Sequence, residues 1–189
     1  MPLSAGTIRD INSTLCWNAQ WHRAVLGPLL PMNRVHQRAR ASLADSMKVA
    51  KRFRWEGAHR LPWHEGRCRD LHGHSYEMFV EVEGEPDEQG MLIDFKHLKR
   101  ALAPIIDEWD HATVVAESDT KLLDIMRESG WRHVVVPYDT TAENICVFFA
   151  DHLIGEHRDM LKDRRIHTVR VRVAETETCY AETERRVGT

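Results

Sequence analysis

His72-Gly-His-Ser-Tyr-Glu-Met-Phe-Val-Glu-Val-Glu-Gly84 is the stretch on which the fold turns. From Ser75 onward it alternates. Tyr76, Met78, Val80 and Val82 lie on one side, and Glu77, Glu81 and Glu83 on the other. A period of two with one apolar row predicts a half-buried antiparallel strand. His72 and His74 open that strand two positions apart, so their imidazoles share one face and can meet one metal ion.

Upstream, Val49 to Trp55 alternates more loosely, with Val49, Phe53 and Trp55 on one face. His59 closes this second strand, in Gly57-Ala-His59-Arg-Leu-Pro62. An antiparallel neighbour would carry it toward His72 and His74. Downstream, Glu83 to Gly90 is a turn-rich loop. Asp94 reads as a helix N-cap, followed by Phe95, Leu98, Leu102, Ile105, Ile106 and Trp109 at helical spacing. Pro104 inside that helix predicts a kink.

A shorter helix is expected from Ser118 to Ser129, stopped by Gly130, and a short strand over His133 to Val136. Thr140 and Glu143 have capping-box spacing, and the helix they open would bury Ile145, Phe148, Phe149 and Leu153. Val169, Val171 and Val173 mark a last strand, Ile166 to Ala174. Strands and helices do not alternate strictly, so the expected class is α+β, an antiparallel sheet with helices on one face.

Residues 1–46 read differently. They hold five Arg and no Lys against two acids, about +3, which leaves about −6 for residues 47–189 within a total of −3. No period persists there. The segment is expected to be a poorly ordered extension, a mis-assigned start ahead of Met47, or a targeting segment. Residues 47–189 are the expected domain.

The whole chain shows no Lys/Arg block, and its apolar runs fall far short of a membrane span. Neither a nucleic-acid nor a membrane partner is expected, and the expected location is cytoplasmic. Cys16, Cys68, Cys146 and Cys179 are irregularly spaced, which favours reduced thiols.

The chemistry concentrates around Cys68-Arg-Asp-Leu-His72-Gly-His74. Three neutral imidazoles, from His59, His72 and His74, suit Zn²⁺ with an open fourth position. Cys68 would either close that site as a fourth ligand or act beside it as a base. Cys146, next to the buried stripe of a helix, reads as a small buried hydrophobe. Asp110-His111 pairs a carboxylate with an imidazole that it can orient. Glu175, ending the last strand, could accept paired N–H donors from a guanidine-like ring edge.

Taken in order, these motifs resemble the 6-pyruvoyltetrahydropterin synthase family, which includes the 6-carboxy-5,6,7,8-tetrahydropterin synthases. They are Gly-Ala-His59-Arg-Leu-Pro, Cys68 through His74, Gly90-Met-Leu-Ile-Asp94-Phe, Asp110-His111, Thr140-Thr-Ala-Glu143-Asn144 and Val173-Ala-Glu175-Thr176. The resemblance implies the tunnelling fold, a four-stranded antiparallel sheet with two main helices on one face. It implies a homo-oligomer, a trimer or a dimer of trimers, with active sites between subunits. It assigns His59, His72 and His74 to zinc, Cys68 to the catalytic base, Asp110 and His111 to a proton relay, and Glu175 to anchoring the pterin substrate.

The implied reaction is zinc-dependent lysis of 7,8-dihydroneopterin triphosphate. The close spacing of Cys68 to the histidine pair resembles the branch that forms 6-carboxy-5,6,7,8-tetrahydropterin, acetaldehyde and triphosphate on the way to queuosine. The pyruvoyl-forming reaction and a non-catalytic zinc-stabilised scaffold are the alternatives. The segment from Ala112 to Asp139 is longer than in the simplest members of the family and adds a helix.

Overall fold

The computed structural model describes residues 46–188. The expectations for residues 1–45 lie outside the described residues. The strands are β1 (Met47–His59), β2 (His72–Gly84), β3 (Ala112–Ala116), β4 (His133–Val136), β5 (Ile166–Ala174) and β6 (Tyr180–Arg186). The helices are α1 (Phe95–Trp109), α2 (Thr120–Ser129), α3 (Ala142–Glu156) and α4 (Arg158–Lys162).

The six strands form one sheet in the order β4-β3-β1-β2-β5-β6. Its main part is an antiparallel run of four, β1-β2-β5-β6. The α+β class and the four-stranded antiparallel unit therefore hold, but the membership of that unit differs from the expectation. The fourth antiparallel strand is β6. His133–Val136 instead joins β3 in a parallel pair, and β3 meets β1 only at Gly57 and Ala58. Purely local alternation cannot reveal this, because parallel pairing is fixed by what lies across the sheet.

One face of the sheet is the core. Phe53, Trp55, Tyr76, Met78, Val80, Val82, Val169, Val171 and Val173 pack there with Leu98, Leu102, Ile106 and Trp109 of α1 and with Ile145, Phe149 and Leu153 of α3. Phe148 is only half-buried, and its ring stacks on Trp109. Burial on this scale supplies the dominant favourable term of folding, at roughly 25 cal/mol per Å² of apolar surface.

The opposite face carries a charged ladder. Arg170 bridges Glu81 and Glu184, each at 2.5 Å, and Arg172 pairs with Glu182 at 2.8 Å. Arg54 holds Glu77 at 2.8 Å. These opposite charges neighbour one another across strands, which favours this register over a slipped one.

The helix ends follow their capping chemistry. Asp94 caps α1 by accepting from Lys96 N, and Pro104 sits within that helix. Asp119 caps α2, so the helix begins at Thr120 rather than Ser118. Gly130 ends α2 at φ 66, a left-handed conformation that glycine adopts without a Cβ penalty. The cap of α3 is Thr141, accepting from Asn144 N, and not Thr140 as the T-x-x-E spacing suggested. Thr140 is committed elsewhere: its carbonyl accepts from the His59 ring, and its hydroxyl donates to Arg60 O.

No helix among the described residues is long and apolar enough to cross a membrane. Cys68, Cys146 and Cys179 are free thiols. Cys146 is buried and donates to Ala181 O, and burial pushes its thiol up to about 11.

Candidate metal centre and active site

The antiparallel register of β1 and β2 puts His59 directly opposite His72, with Gly57 opposite His74. The inward row of β2, which begins as His72 and His74, continues as Tyr76, Met78, Val80 and Val82. Past the shelter of the helices, that row becomes imidazole instead of hydrocarbon. The ring centroids are 4.6 Å apart for His59–His72, 4.8 Å for His72–His74 and 5.2 Å for His59–His74. One ligand atom from each lies within 4.8 Å of the others.

Each ring is aimed by its own surroundings. Nδ1 of His59 donates to Thr140 O at 2.6 Å, and Nδ1 of His72 donates to Asp70 O at 2.8 Å. A carbonyl only accepts, so Nδ1 carries a proton in both rings, which in the neutral tautomer turns the Nε2 lone pair outward. Nε2 of His59 and Nε2 of His74 are buried and have no hydrogen-bond partner among the described residues. Buried polar atoms left unpaired are costly unless something binds them.

Burial, opposed by the Thr140 carbonyl and reinforced by His72 and His74, pushes His59 down to about 4. Burial and then His72 also lower His74. A lowered pKa favours the neutral ring and its lone pair at His59 and His74, and the convergence of these two with His72 is a donor set that fits a transition-metal ion such as Zn²⁺. The Nδ1–H···O=C bonds are the outer contacts that orient metal-binding imidazoles.

A cleft of about 560 Å³ opens beside the centre, lined by His59, Cys68, Thr141, Glu143, Glu175 and Cys179 among others. Cys68 sits half-buried in a single 3-10 turn, Arg67–Arg69, and its carbonyl accepts from Leu61 N at 2.8 Å, which ties the turn back to the end of β1. The metal-fitting group holds the three histidines without Cys68. Glu175 Oε1 lies 3.7 Å from His59 Nε2. Burial raises the Glu175 pKa, His72 works against that rise and Glu143 adds to it.

Sequence reasoning gave Glu143 only a capping task. The α3 cap is Thr141, and Glu143 lines the cleft wall. No spacing signal marks that role, since it depends on how α3 faces the β1–β2 loop.

Asp110 and His111 are placed apart from Cys68. Asp110 Oδ1 accepts from Glu56 N at 2.9 Å, and His111 N donates to Glu56 O at 2.6 Å, so the dipeptide clasps β1. Asp110 Oδ2 lies 2.9 Å from His111 Nδ1. The Glu56 amide and then the His111 hydrogen bond hold the Asp110 carboxyl below its ordinary value. His111 adopts φ 58, left-handed backbone that costs a non-glycine residue about 1 kcal/mol. His111 lines a second groove together with Glu56, His74, Ser75 and Thr113. Within one chain, the structure thus groups His59, His72 and His74, places Cys68 and Glu175 in the cleft with His59, and puts His111 in a groove shared with His74 but not with Cys68 or Glu175.

Fold and site define an α+β protein with a three-imidazole, metal-fitting centre at one end of the antiparallel β1–β2 pair. The model of the family described as 6-pyruvoyl tetrahydropterin synthase matches residues 48–186. The chain is 32% identical over 143 residues to the 6-carboxy-5,6,7,8-tetrahydropterin synthase of Haemophilus influenzae, covering 71% of this chain and 96% of that protein. It is 31% identical over 156 residues to the enzyme of the same name from Aquifex aeolicus, with coverage of 71% and 96%. Among solved structures, Plasmodium falciparum 6-pyruvoyl tetrahydropterin synthase superposes with a TM-score of 0.60 at 21% identity, over 75% of this chain and 98% of that one. That likeness speaks to the fold. The chain belongs to the 6-pyruvoyl tetrahydropterin synthase family.

Proposed function

We propose that this chain is a zinc-dependent lyase that converts 7,8-dihydroneopterin triphosphate and water to 6-carboxy-5,6,7,8-tetrahydropterin, with release of acetaldehyde and triphosphate. Family membership and the relatives named as 6-carboxy-5,6,7,8-tetrahydropterin synthases support a tetrahydropterin synthase function. The observation that carries the metal-dependent reading is the convergence of unpartnered Nε2 atoms from His59 and His74 beside His72. Zinc held there would supply a positive charge that polarises the substrate side-chain oxygens.

The protein's own groups would do the rest. Cys68 borders the cleft next to the centre and would take the carbon-bound proton as thiolate. Glu175 would accept paired N–H groups from the pterin ring edge, a charge-assisted contact. Asp110 keeps Nδ1 of His111 engaged, which leaves Nε2 free to pass a proton. Because His111 lines a groove other than the one that holds Cys68 and Glu175, the reading includes a homo-oligomer in which a second copy completes each site. The product would feed the queuosine-type deazapurine route.

The test is product analysis by mass spectrometry with the zinc-loaded full chain and 7,8-dihydroneopterin triphosphate. The expected outcome is 6-carboxy-5,6,7,8-tetrahydropterin with acetaldehyde. Turnover should fall about 10²–10⁴-fold in Cys68→Ala while zinc stays bound. A pyruvoyl product would move the assignment to the other reaction of the family. A zinc-loaded oligomer that forms no product would overturn the catalytic reading.

A further inference from the structure

The segment between α1 and α3 does more than lengthen the chain. Two of its residues, Asp119 and Thr140, form hydrogen bonds with His59 or with Arg60 next to it. Arg60 follows His59 directly, and its Nε and Nη2 donate to Asp119 Oδ2 and Oδ1, both at 2.5 Å. Asp119 is only 5% exposed and also caps α2 through Leu122 N at 3.2 Å. A guanidinium and a carboxylate meeting fork to fork fix both the position and the orientation of the chain that carries them.

The second contact is Thr140, which is 0% exposed. Its hydroxyl donates to Arg60 O at 3.3 Å, and its carbonyl accepts from the His59 ring at 2.6 Å. One residue thus grips both the backbone after His59 and the imidazole itself. His59 has few ways to turn: the strand sets its backbone, Asp119 holds the residue after it, and Thr140 holds its ring.

We infer that Arg60, Asp119 and Thr140 are positioning residues that lock His59 for metal capture, so that the α2 excursion sets the affinity of the centre. The inference rests on the reading of His59, His72 and His74 as a metal centre, and not on which pterin product forms. Outer contacts of this kind typically govern metal affinity by about 10–100-fold. A mere staple of the fold would change melting and leave the metal untouched.

The experiment measures Zn²⁺ affinity by chelator competition, and the absorption spectrum of the Co²⁺-loaded full chain, alongside melting of the metal-free protein. Thr140→Val keeps the side-chain volume and removes the hydroxyl. It should weaken Zn²⁺ about 10-fold or more and shift the Co²⁺ band, and Thr140→Ser should restore both. Asp119→Asn keeps a cap acceptor and removes the charge, with a loss of about 10–100-fold expected. Asp151→Asn breaks the remote 2.7 Å pair with Arg185 and should leave affinity and spectrum unchanged.

Wild-type affinity and spectrum in both Thr140→Val and Asp119→Asn would overturn the inference. If Asp119→Asn does not fold, Thr140→Val and its serine rescue decide. A wild-type chain that binds no metal would sink the centre and this inference together. One that binds metal tightly but turns over no pterin would remove only the proposed reaction.

Discussion

One row of β2 serves two purposes. At its far end Met78, Val80 and Val82 are fully buried beneath α1 and α3. At its near end the same row is His74 and His72, half-buried and outside the helix-covered core cluster. The backbone register is continuous across both regions, so the difference lies in what covers them. Hydrocarbon side chains gain from complete cover. Imidazoles that must present a lone pair need cover deep enough to stay neutral, yet an opening toward the cleft. A sheet can provide both in one strand because its side-chain rows run on past the edge of its helices.

The sharpest way to test that division is to truncate each end. Met78→Ala should cost about 2–5 kcal/mol of stability, because it leaves a cavity among packed side chains. His74→Ala should change the melting of the metal-free protein little, by at most about 1 kcal/mol, and abolish tight metal binding. Denaturant unfolding with and without metal checks both. Equal destabilisation by the two substitutions would break the comparison.

A second effect is pH dependence. His59 titrates near 4 when folded and near 6.5 when unfolded, so between those values the unfolded chain binds more protons. The metal-free protein should therefore lose stability as pH falls from about 6.5 to about 4, with no further loss from this group below that. The change approaches ~3 kcal/mol. His59→Gln should flatten this part of the stability profile, as read from urea midpoints across the same range.

The smallest effect belongs to the outer face. Glu81→Gln weakens the ladder with Arg170 and Lys48, whose members remain in contact with water. It should cost no more than about 1 kcal/mol and less in high salt, by thermal melts at two ionic strengths. A larger loss would mean that this face is covered in the assembled protein.

Much of this organisation was legible beforehand. The alternation of Tyr76 to Val82 identified β2, the stripe from Phe95 to Trp109 identified α1, and the H-x-H spacing singled out His72 and His74. β6 was not legible, because Tyr180–Arg186 has no fully buried position and alternates half-buried with exposed residues. It is a strand through its antiparallel pairing with β5, across which Glu182 and Glu184 face Arg172 and Arg170. β3 was missed because Ala112–Ala116, Ala-Thr-Val-Val-Ala, is a short stretch with no periodic mark of its own. The T-x-x-E spacing pointed to Thr140, but Thr141 is the cap. What separates them is His59 claiming the carbonyl of one, which frees the next to cap α3.

The sequence by itself determined which residues face inward on β1, β2 and β5, where α1 begins, and which three imidazoles were candidates for one ion. These are local properties, set by side-chain period and capping chemistry within a few residues. Only the tertiary structure decided that His59 stands opposite His72, that Arg60 locks onto Asp119, and that His111 lines another groove. Each of those joins residues far apart in the chain, and the free energy that selects them exists only once the sheet has paired and the helices have covered it.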